Sequence, residues 1–392
     1  MNTLPAGLEI PRVTCALFGA VKAVATLKRT VVLVHGPRGC VYHINYILGM
    51  RGDRHNPVFS TCMTEHDVVF GAEERLRNSI EELDRLKRPD MIVVLSCCAS
   101  GIIGEDLESA CRAARTNALV IPIEAGGFSG DFSAGYATTL RTLVARTAKR
   151  GVEKEKRTVN LVGMLRGGPD LREIRHLLSL IGISVGTVIP AGATVADLQN
   201  AGRAERNIVM CETSGLEAAK FLEETFGTPW ISAPFPVGAE LSLGFLRDVS
   251  GSLGLPMPDS GIIGRKHHAF TGRKPAIALC AGPTRAIALT TFLRFHGLSP
   301  RVIVLDFPTP LLARIREAAG PECEILVAPG WETIEEILVS LGIDLIIGGL
   351  MERSLATRLG ISLIDVMHGS QKTAGVEGGE NILSLIDKCK RT

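Results

Sequence analysis

Short apolar runs alternate with longer amphipathic segments along the whole chain of 392 residues. The apolar runs are rich in Val, Ile and Leu and predict strands, at 30–35, 91–96, 118–123, 159–164, 275–280, 301–306 and 345–350. Helical patterns lie between them, for example at 73–88 and 217–226. This alternation is typical of parallel sheets covered by helices, so the pattern predicts an α/β fold.

Two distant segments, 159–190 and 275–306, share one design. Each runs from a strand through a polar elbow into a helix that ends near a glycine, Gly182 or Gly297, and then into a second strand. Glycine is the usual residue just past a helix C-terminus. With charged joints at 145–158 and 264–274, the design predicts three Rossmann-like domains with doubly wound, mostly parallel sheets around a central cleft. The predicted domains are 1–155, 156–272 and 273–392.

Composition narrows the class of protein. The formal net charge is +2 and the aromatic content is 5%, which disfavours an extended nucleic-acid surface. The N-terminal residues do not resemble a signal peptide, and the longest apolar stretch, which starts at Met91, is too short and too polar to span a bilayer. We therefore expect a cytoplasmic protein that binds neither nucleic acid nor membrane.

Ten cysteines require an explanation in such a chain. Cytosolic thiols stay reduced, so a disulfide framework is not expected. The sequence has no C-x-x-C, H-E-x-x-H, G-x-x-x-x-G-K-[ST], G-x-G-x-x-G or G-x-S-x-G motif. The chain thus has no recognisable site of its own for ATP, a dinucleotide or a serine nucleophile.

Three cysteines of the N-terminal third lie at the ends of predicted elements. Cys40 and Cys98 follow strands, Cys15 precedes the first strand, and Cys62 lies between elements. Glycine-rich turns and helix N-termini offer backbone N–H groups that suit a thiolate or an anionic iron–sulfur cluster. A single free cysteine is more often a small buried hydrophobe, and we keep that interpretation for the others with no such placement, Cys111, Cys280, Cys323 and Cys389.

Several motifs resemble one known family. HGPRGC at 35–40, STCMTEHDVVFGAEERL at 60–76 and PDMIVVLSCCASGIIGEDL at 89–107 look like the opening domain of the nitrogenase component-1 superfamily. Segments 188–198, 207–230 and 349–366 are similar to its later domains. The resemblance implies the nitrogenase component-1 fold, with first domains that pair around an iron–sulfur cluster.

The resemblance also implies a ligand set. Cys15, Cys40 and Cys98 match the cysteines that ligate the cluster, a [4Fe-4S] centre, whereas Cys97 falls where relatives carry a non-ligand and Cys62 ranks second. A cubane takes four ligands. Two copies of the chain would either share one cluster across the axis of a homodimer or each complete one with a further group.

The C-terminal motifs favour one branch of the superfamily. Cys211 coincides with the cysteine that holds the nitrogenase cofactor, but Ala374 stands where the cofactor histidine is expected and His368 lies upstream. Length and motifs resemble instead the tetrapyrrole-reducing branch, above all the D component of nickel-sirohydrochlorin a,c-diamide reductive cyclase. Dark-operative protochlorophyllide reductase is a near relative, but its B subunit has an aspartate in the place of Cys40.

This branch implies a nickel tetrapyrrole as the substrate and a separate ATPase as the electron donor. The reaction reduces the macrocycle and closes a lactam ring in the biosynthesis of the nickel coenzyme of methyl-coenzyme M reductase. ATP would bind only to the partner, a homodimer that resembles nitrogenase iron protein. It would dock near Cys15 and Cys40.

Further residues are candidates for proton transfer and substrate binding. The candidate proton donors are Glu240 and His368, with His43 and Glu124 behind them. The substrate carries several carboxylates, and arginine binds a carboxylate bidentately. The candidate pocket residues are Arg38, His43, Arg166, Cys211, Arg285 and Lys372.

Three alternatives remain open at this point. One is a maturation scaffold that holds a cofactor precursor without reducing it. Another is a reductase of a different tetrapyrrole or of a small sulfur compound. The third is a three-domain α/β protein without a metal, which the placement of the cysteines disfavours.

Overall fold

The computed structural model describes residues 14–50, 56–259, 261–263, 270, 272, 274–367 and 371–389. These residues divide into two compact units. The first unit comprises 14–166 and 185–231, and the second comprises 167–184 and the described residues from 232 onward.

The elements follow one another as strands and helices in alternation. The strands are β1 (Thr30–His35), β2 (Val58–Ser60), β3 (Met91–Ser96), β4 (Leu119–Ile123), β5 (Glu155–Met164), β6 (Ser184–Pro190), β7 (Ala204–Val209), β8 (Trp230–Ser232), β9 (Ile277–Cys280), β10 (Pro300–Leu305), β11 (Glu324–Val327), β12 (Leu345–Gly348) and β13 (Ser362–Asp365). The helices are α1 (Ala16–Val24), α2 (Arg38–Met50), α3 (Glu65–Phe70), α4 (Glu73–Lys87), α5 (Cys98–Ile103), α6 (Leu107–Ala113), α7 (Phe132–Thr147), α8 (Pro169–Leu180), α9 (Val195–Gln199), α10 (Glu212–Phe226), α11 (Gly238–Ser252), α12 (Pro283–Phe295), α13 (Leu312–Ala319), α14 (Trp331–Ser340), α15 (Arg353–Leu359) and α16 (Gly375–Lys388).

The strands form three sheets with the orders β2-β1-β3-β4, β6-β5-β7-β8 and β11-β10-β9-β12-β13. The strand pairs of the first and third sheets are all parallel, as is the β5–β7 pair of the second sheet. In each sheet, successive strands are added first on one side of the first strand and then on its other side. The strand order therefore has a switch point between β1 and β3, between β5 and β7, and between β9 and β12, where ligands bind in doubly wound folds.

Burial explains why these segments form these elements. Every residue of β1 and of β3 is buried, as expected for central strands covered on both faces. Helix α4 buries Leu76, Ile80 and Leu83, which recur at helical spacing, and has acidic residues in its first turn and basic residues in its last.

Two glycines allow helices α1 and α7 to pack closely. A Cβ on Gly19 would lie 2.0 Å from the carbonyl oxygen of Phe132, and a Cβ on Gly135 would lie 2.0 Å from that of Ala16. Only glycine leaves room for backbones at this separation. The contact places the start of α1, next to Cys15, against the start of α7.

The structure confirms the prediction of an α/β fold with three parallel sheets, and all seven predicted strands are present with small shifts at their ends. Gly182 and Gly297 adopt the left-handed conformation just past α8 and α12, as predicted. Helix α10 starts earlier than predicted, at Glu212, and Cys323 lies in a turn before β11. The domain boundaries at 155 and 272 stay a prediction. Among the described helices, none is both long and apolar enough to cross a membrane.

Candidate functional site

The switch point of the first sheet brings two cysteine-bearing loops together. His35 and Ser96 are paired as the last residues of β1 and β3, so the loops that follow begin side by side. The first loop leads into α2, whose first turn contains Cys40. The second leads into α5, which starts at Cys98 with Cys97 as its N-cap.

Cys15 reaches the same place from a different direction. It is the exposed N-cap of α1 and forms an antiparallel bridge with Asp131, the N-cap of α7. Between β4 and α7 lies Gly127, whose backbone N–H donates a 3.1 Å hydrogen bond to the Sγ of Cys98. A Cβ on Gly127 would lie 2.9 Å from that sulfur and 3.5 Å from the Cβ of Cys15. Gly127 therefore lies between Cys15 and Cys98.

The thiols interact electrostatically. Burial raises the pKa of the half-buried Cys40 thiol, and the charges of Cys97, Cys98 and Cys15 raise it further. Like charges have this effect only at short range, so the structure brings the three cysteines predicted as ligands into one neighbourhood. Iron ions bound there would favour the thiolates and lower the pKa instead.

Cys97 is oriented differently from its neighbour. It is buried, and a Cβ on Gly36 would lie 2.3 Å from its sulfur, so its side chain packs against the glycine elbow after β1. Its backbone N–H donates to the Oγ of Ser100 at 2.9 Å, which caps α5. These contacts give Cys97 a packing role, and its lower rank as a ligand stays a prediction.

Cys62 is half-buried and has a φ of 56°, a left-handed conformation that is uncommon for a residue with a side chain. Its N–H donates to the Oγ of Ser60 at 2.9 Å. Among the described residues, the thiols that act on the pKa of Cys40 do not include Cys62. The assignment of Cys15, Cys40 and Cys98 as ligands, with Cys62 in second rank, stays a prediction.

The donor set has the chemistry of an iron–sulfur cluster, since the candidate ligands are cysteine thiols. Among the described residues, no group of three or more His, Cys, Asp or Glu side chains is close enough to hold one metal ion. A cubane spreads its thiolates over different irons, and backbone hydrogen bonds to sulfur tune its potential. Three thiols in one neighbourhood, a backbone N–H directed at one of them and a glycine that leaves space beside it match that requirement.

A hydrogen-bonded histidine beside the cysteines was missed by the sequence predictions. His35 is fully buried, and its Nε2 lies 2.5 Å from Glu105 Oε2 while its Nδ1 lies 3.1 Å from Thr61 Oγ1. Its place directly before the elbow in HGPRGC was the only local signal.

The second sheet places two predicted pocket residues at its own switch point. Arg166 follows β5, and Cys211 follows β7 as the N-cap of α10. The Cys211 thiol donates to Ser214 Oγ at 3.4 Å. Burial raises the pKa of Tyr136, and the charge of Cys211 raises it further, which places this buried phenol in the neighbourhood of Cys211.

The remaining candidate proton donors and pocket residues lie in several different parts of the structure. Arg38, His43 and Glu124 are exposed in the first unit, and Glu240 is half-buried in the first turn of α11 in the second unit. His368 lies outside the described residues. Their predicted roles stay predictions.

Arg285 and Lys372 are already engaged by side chains of the second unit. The Arg285 guanidinium lies 3.6 Å from Asp170, donates to Thr373 Oγ1 at 2.6 Å and stacks on Phe235. Lys372 forms ion pairs with Glu173 and Glu377. Substrate carboxylates would have to compete with these partners, so the role of both residues in the pocket stays a prediction.

Taken together, the fold and the site define an α/β protein with doubly wound parallel sheets and a cysteine cluster at the switch point of its first sheet. Residues 15–389 match the family described as nitrogenase component 1 type oxidoreductase. The chain belongs to this family.

Individual relatives agree with this membership. The nitrogenase iron-molybdenum cofactor biosynthesis protein NifE of Methanosarcina barkeri is 29% identical, over 95% of this chain and 87% of that protein. The NifE protein of Clostridium pasteurianum is 28% identical, over 95% and 86%. The nitrogenase vanadium-iron protein beta chain of Trichormus variabilis is 25% identical, over 95% and 89%. The solved structure "Nitrogenase Cp1 at pH 6.5" shares the fold, with a TM-score of 0.85 at 20% identity over 98% of this chain and 94% of the other.

Proposed function

We propose that this protein holds a [4Fe-4S] cluster on Cys15, Cys40 and Cys98 and transfers electrons to a bound substrate. The observation that carries the proposal is the neighbourhood of these three thiols at the β1–β3 switch point. When bound, the cluster supplies low-potential electrons one at a time. The chain itself binds it through thiolates and stabilises the Cys98 sulfur through the N–H of Gly127.

We propose further that the protein is the substrate-reducing component of an ATP-dependent reductive cyclase. The substrate is nickel-sirohydrochlorin a,c-diamide, which is reduced and closed to a lactam. The motif set and the departure at Ala374 support this choice, since the histidine expected to hold a nitrogenase cofactor is missing from that position. Arg166 and Cys211 would line the substrate pocket at the β5–β7 switch point.

The proposed assembly would explain why elements at and next to the cysteines expose apolar side chains. Tyr42 and Tyr46 of α2, Phe70 of α3, Ile102 of α5 and Phe128 are exposed, Phe70 by 75% and Phe128 by 81%. Exposed apolar residues concentrated in one region mark an interaction surface. A second copy of the chain would cover the helices that carry the cysteines, and the iron-protein-like ATPase, itself a homodimer, would dock nearby.

A second candidate function is a maturation scaffold that holds a cofactor precursor without reducing it. The relatives named as cofactor biosynthesis proteins favour it, since they cover 95% of this chain. Cluster binding is common to both candidates. The difference between them is ATP-dependent reduction of the bound molecule.

Anaerobic reconstitution separates the candidates. The chain is purified without oxygen, assayed for iron and sulfide, and mixed with the iron-protein-like ATPase, dithionite, MgATP and nickel-sirohydrochlorin a,c-diamide. We expect the macrocycle absorbance to change only when ATP is present. A change on mixing that ATP does not alter would favour the scaffold, and a chain that retains no iron would contradict both candidates.

A methyl group next to the Cys98 sulfur should change the redox properties of the cluster. In Gly127→Ala the new Cβ would lie 2.9 Å from Cys98 Sγ, so the sulfur or the loop must move and the N–H to sulfur bond lengthens. Because hydrogen bonds to sulfur stabilise the reduced, more negative cluster, we expect a lower midpoint potential in a redox titration.

Gly39→Ala is the matched control for this change. It adds the same methyl group beside Cys40, where no described atom lies within 4 Å of the new Cβ apart from the adjoining residues and the α2 backbone. An unchanged potential in Gly127→Ala, with full iron content, would show that the Gly127 N–H does not act on the cluster.

A further inference from the structure

A continuous chain of hydrogen bonds runs between the elbow after β1 and the start of α4. Its side chains are Thr61, His35 and Glu105, none of which is among the predicted ligands or pocket residues. His35 is fully buried, and the Glu105 side chain is 7% exposed. Buried polar groups of this kind are costly unless every donor and acceptor is satisfied.

One set of hydrogen-bond directions satisfies every group in this network. The N–H of Gly36 can only donate, and it donates to Thr61 Oγ1 at 3.1 Å. The Thr61 hydroxyl can then donate to Nδ1 of a neutral His35, 3.1 Å away, which leaves the proton on Nε2 facing Glu105 Oε2 at 2.5 Å. The second carboxylate oxygen of Glu105 accepts from the N–H of Ala72. All four hydrogen bonds are satisfied in this tautomer.

The same series of hydrogen bonds connects the two loops of the cysteine site. At one end, the Gly36 carbonyl accepts from Ser60 Oγ at 2.7 Å and from the N–H of Met63 at 3.1 Å, so the elbow that leads to Cys40 is tied to the loop after β2. At the other end, Glu105 closes the segment that begins with Cys98 and α5. Breaking a hydrogen bond in the middle of this series would release one loop from the other.

We infer that His35, Thr61 and Glu105 are positioning residues, which hold the loops bearing Cys40 and Cys98 at the separation that one cluster needs. The inference rests on the proposed function for its cluster readout only. The position of the two thiols can be measured without iron.

Thr61 offers a matched pair of substitutions. Thr61→Val has nearly the same shape but leaves Gly36 N–H and His35 Nδ1 without the hydroxyl, whereas Thr61→Ser keeps it. Glu105→Gln is a second test, because two N–H donors face the carboxylate and an amide NH₂ would oppose one of them. We therefore expect Thr61→Val and Glu105→Gln to share one effect that Thr61→Ser does not show.

The first readout is the rate at which Cys40 and Cys98 are alkylated by iodoacetamide in the iron-free full-length protein, followed by mass spectrometry of peptides. We expect severalfold faster alkylation in Thr61→Val and Glu105→Gln, wild-type rates in Thr61→Ser, and no change at Cys211, which is half-buried in the same unit. The second readout is the electron paramagnetic resonance signal of the reconstituted, reduced cluster, whose g-values should shift in the same two variants.

A control separates positioning from general loss of stability. Asn207 is fully buried in the second sheet, where it accepts from Asn160 Nδ2 at 2.8 Å and donates to Thr228 O at 2.9 Å. Asn207→Ala should lower the melting temperature and leave the alkylation rates and g-values unchanged. Equal alkylation rates in Thr61→Val and the wild type would overturn the inference. A wild-type chain without iron would instead overturn the proposed function, while the alkylation rates still decide the inference.

Discussion

Cys40→Ala and Cys98→Ala are expected to lose most of their iron and sulfide, whereas Cys280→Ala is expected to keep a wild-type content of both. Cys40 and Cys98 lie at the switch point of the first sheet, in one electrostatic neighbourhood with Cys15. Replacing partners that only orient a ligand costs about 10–100-fold in metal affinity, so loss of a thiolate should cost at least as much. Iron and sulfide analysis after anaerobic purification measures the effect.

Cys280 serves as the control because its thiol lies in different surroundings from those of Cys40 and Cys98. Cys280 is buried at the end of β9 in the second unit, and Cys111 is buried in α6, where burial raises the pKa of its thiol to about 12. Both should behave as small apolar side chains. Equal iron in Cys40→Ala, Cys98→Ala and Cys280→Ala would show that the ligand assignment is wrong. Cys97→Ala should retain the cluster and lose stability, because its sulfur fills the space beside Gly36.

The positions of Cys40 and Cys98 could be predicted from the sequence because they depend on local pattern. Each follows a run of buried aliphatic residues, and parallel strands end at the same edge of a sheet. Cys15 could not be placed in this way. It reaches the site through its bridge to Asp131 and through the glycine contacts between α1 and α7, which join segments more than a hundred positions apart.

The hydrogen-bonded groups beside the site could not be predicted from the local sequence pattern, for the same reason. His35 and Glu105 are separated by 70 positions, and the partner of each depends on how the loops after β1 and β3 fold. Likewise, the choice between Cys97 and Cys98 depends on which side chain points into the elbow at Gly36. Two adjacent cysteines have the same residue type. The residues themselves therefore predict that both lie at this edge of the sheet, but not which side chain points towards the site.

The second large effect is expected at Asp170, a buried carboxylate in the second unit. Thr373 donates to it through its N–H and its hydroxyl, both at 2.7 Å, and the N–H of Ala374 donates at 3.0 Å. Arg285 lies 3.6 Å away. These partners join the start of α8 to a segment 203 positions further along the chain.

Asp170→Ala is expected to destabilise the second unit by about 3–5 kcal/mol, since it leaves two buried backbone N–H groups without their acceptor and removes the carboxylate beside the partly buried Arg285 guanidinium. Trp331 lies in the second unit and Trp230 in the first, so urea unfolding followed by fluorescence in a Trp230→Phe background reports on the second unit. Glu377→Gln weakens the ion pair between Lys372 and the exposed Glu377 side chain and should cost less than about 1 kcal/mol.

The pH dependence gives the same carboxylate a distinct signature. Burial alone would raise the pKa of Asp170, but Arg285 and the hydrogen bonds from Thr373 and Ala374 outweigh it, so the pKa is lowered in the folded state. The contribution of Asp170 is therefore complete above the unfolded value of about 3.9 and is lost as the pH falls through the lower folded value. The stability difference between the wild type and Asp170→Ala should shrink in that range. A difference that stays constant from neutral pH to below the folded pKa would show that Asp170 does not stabilise the fold through its charge.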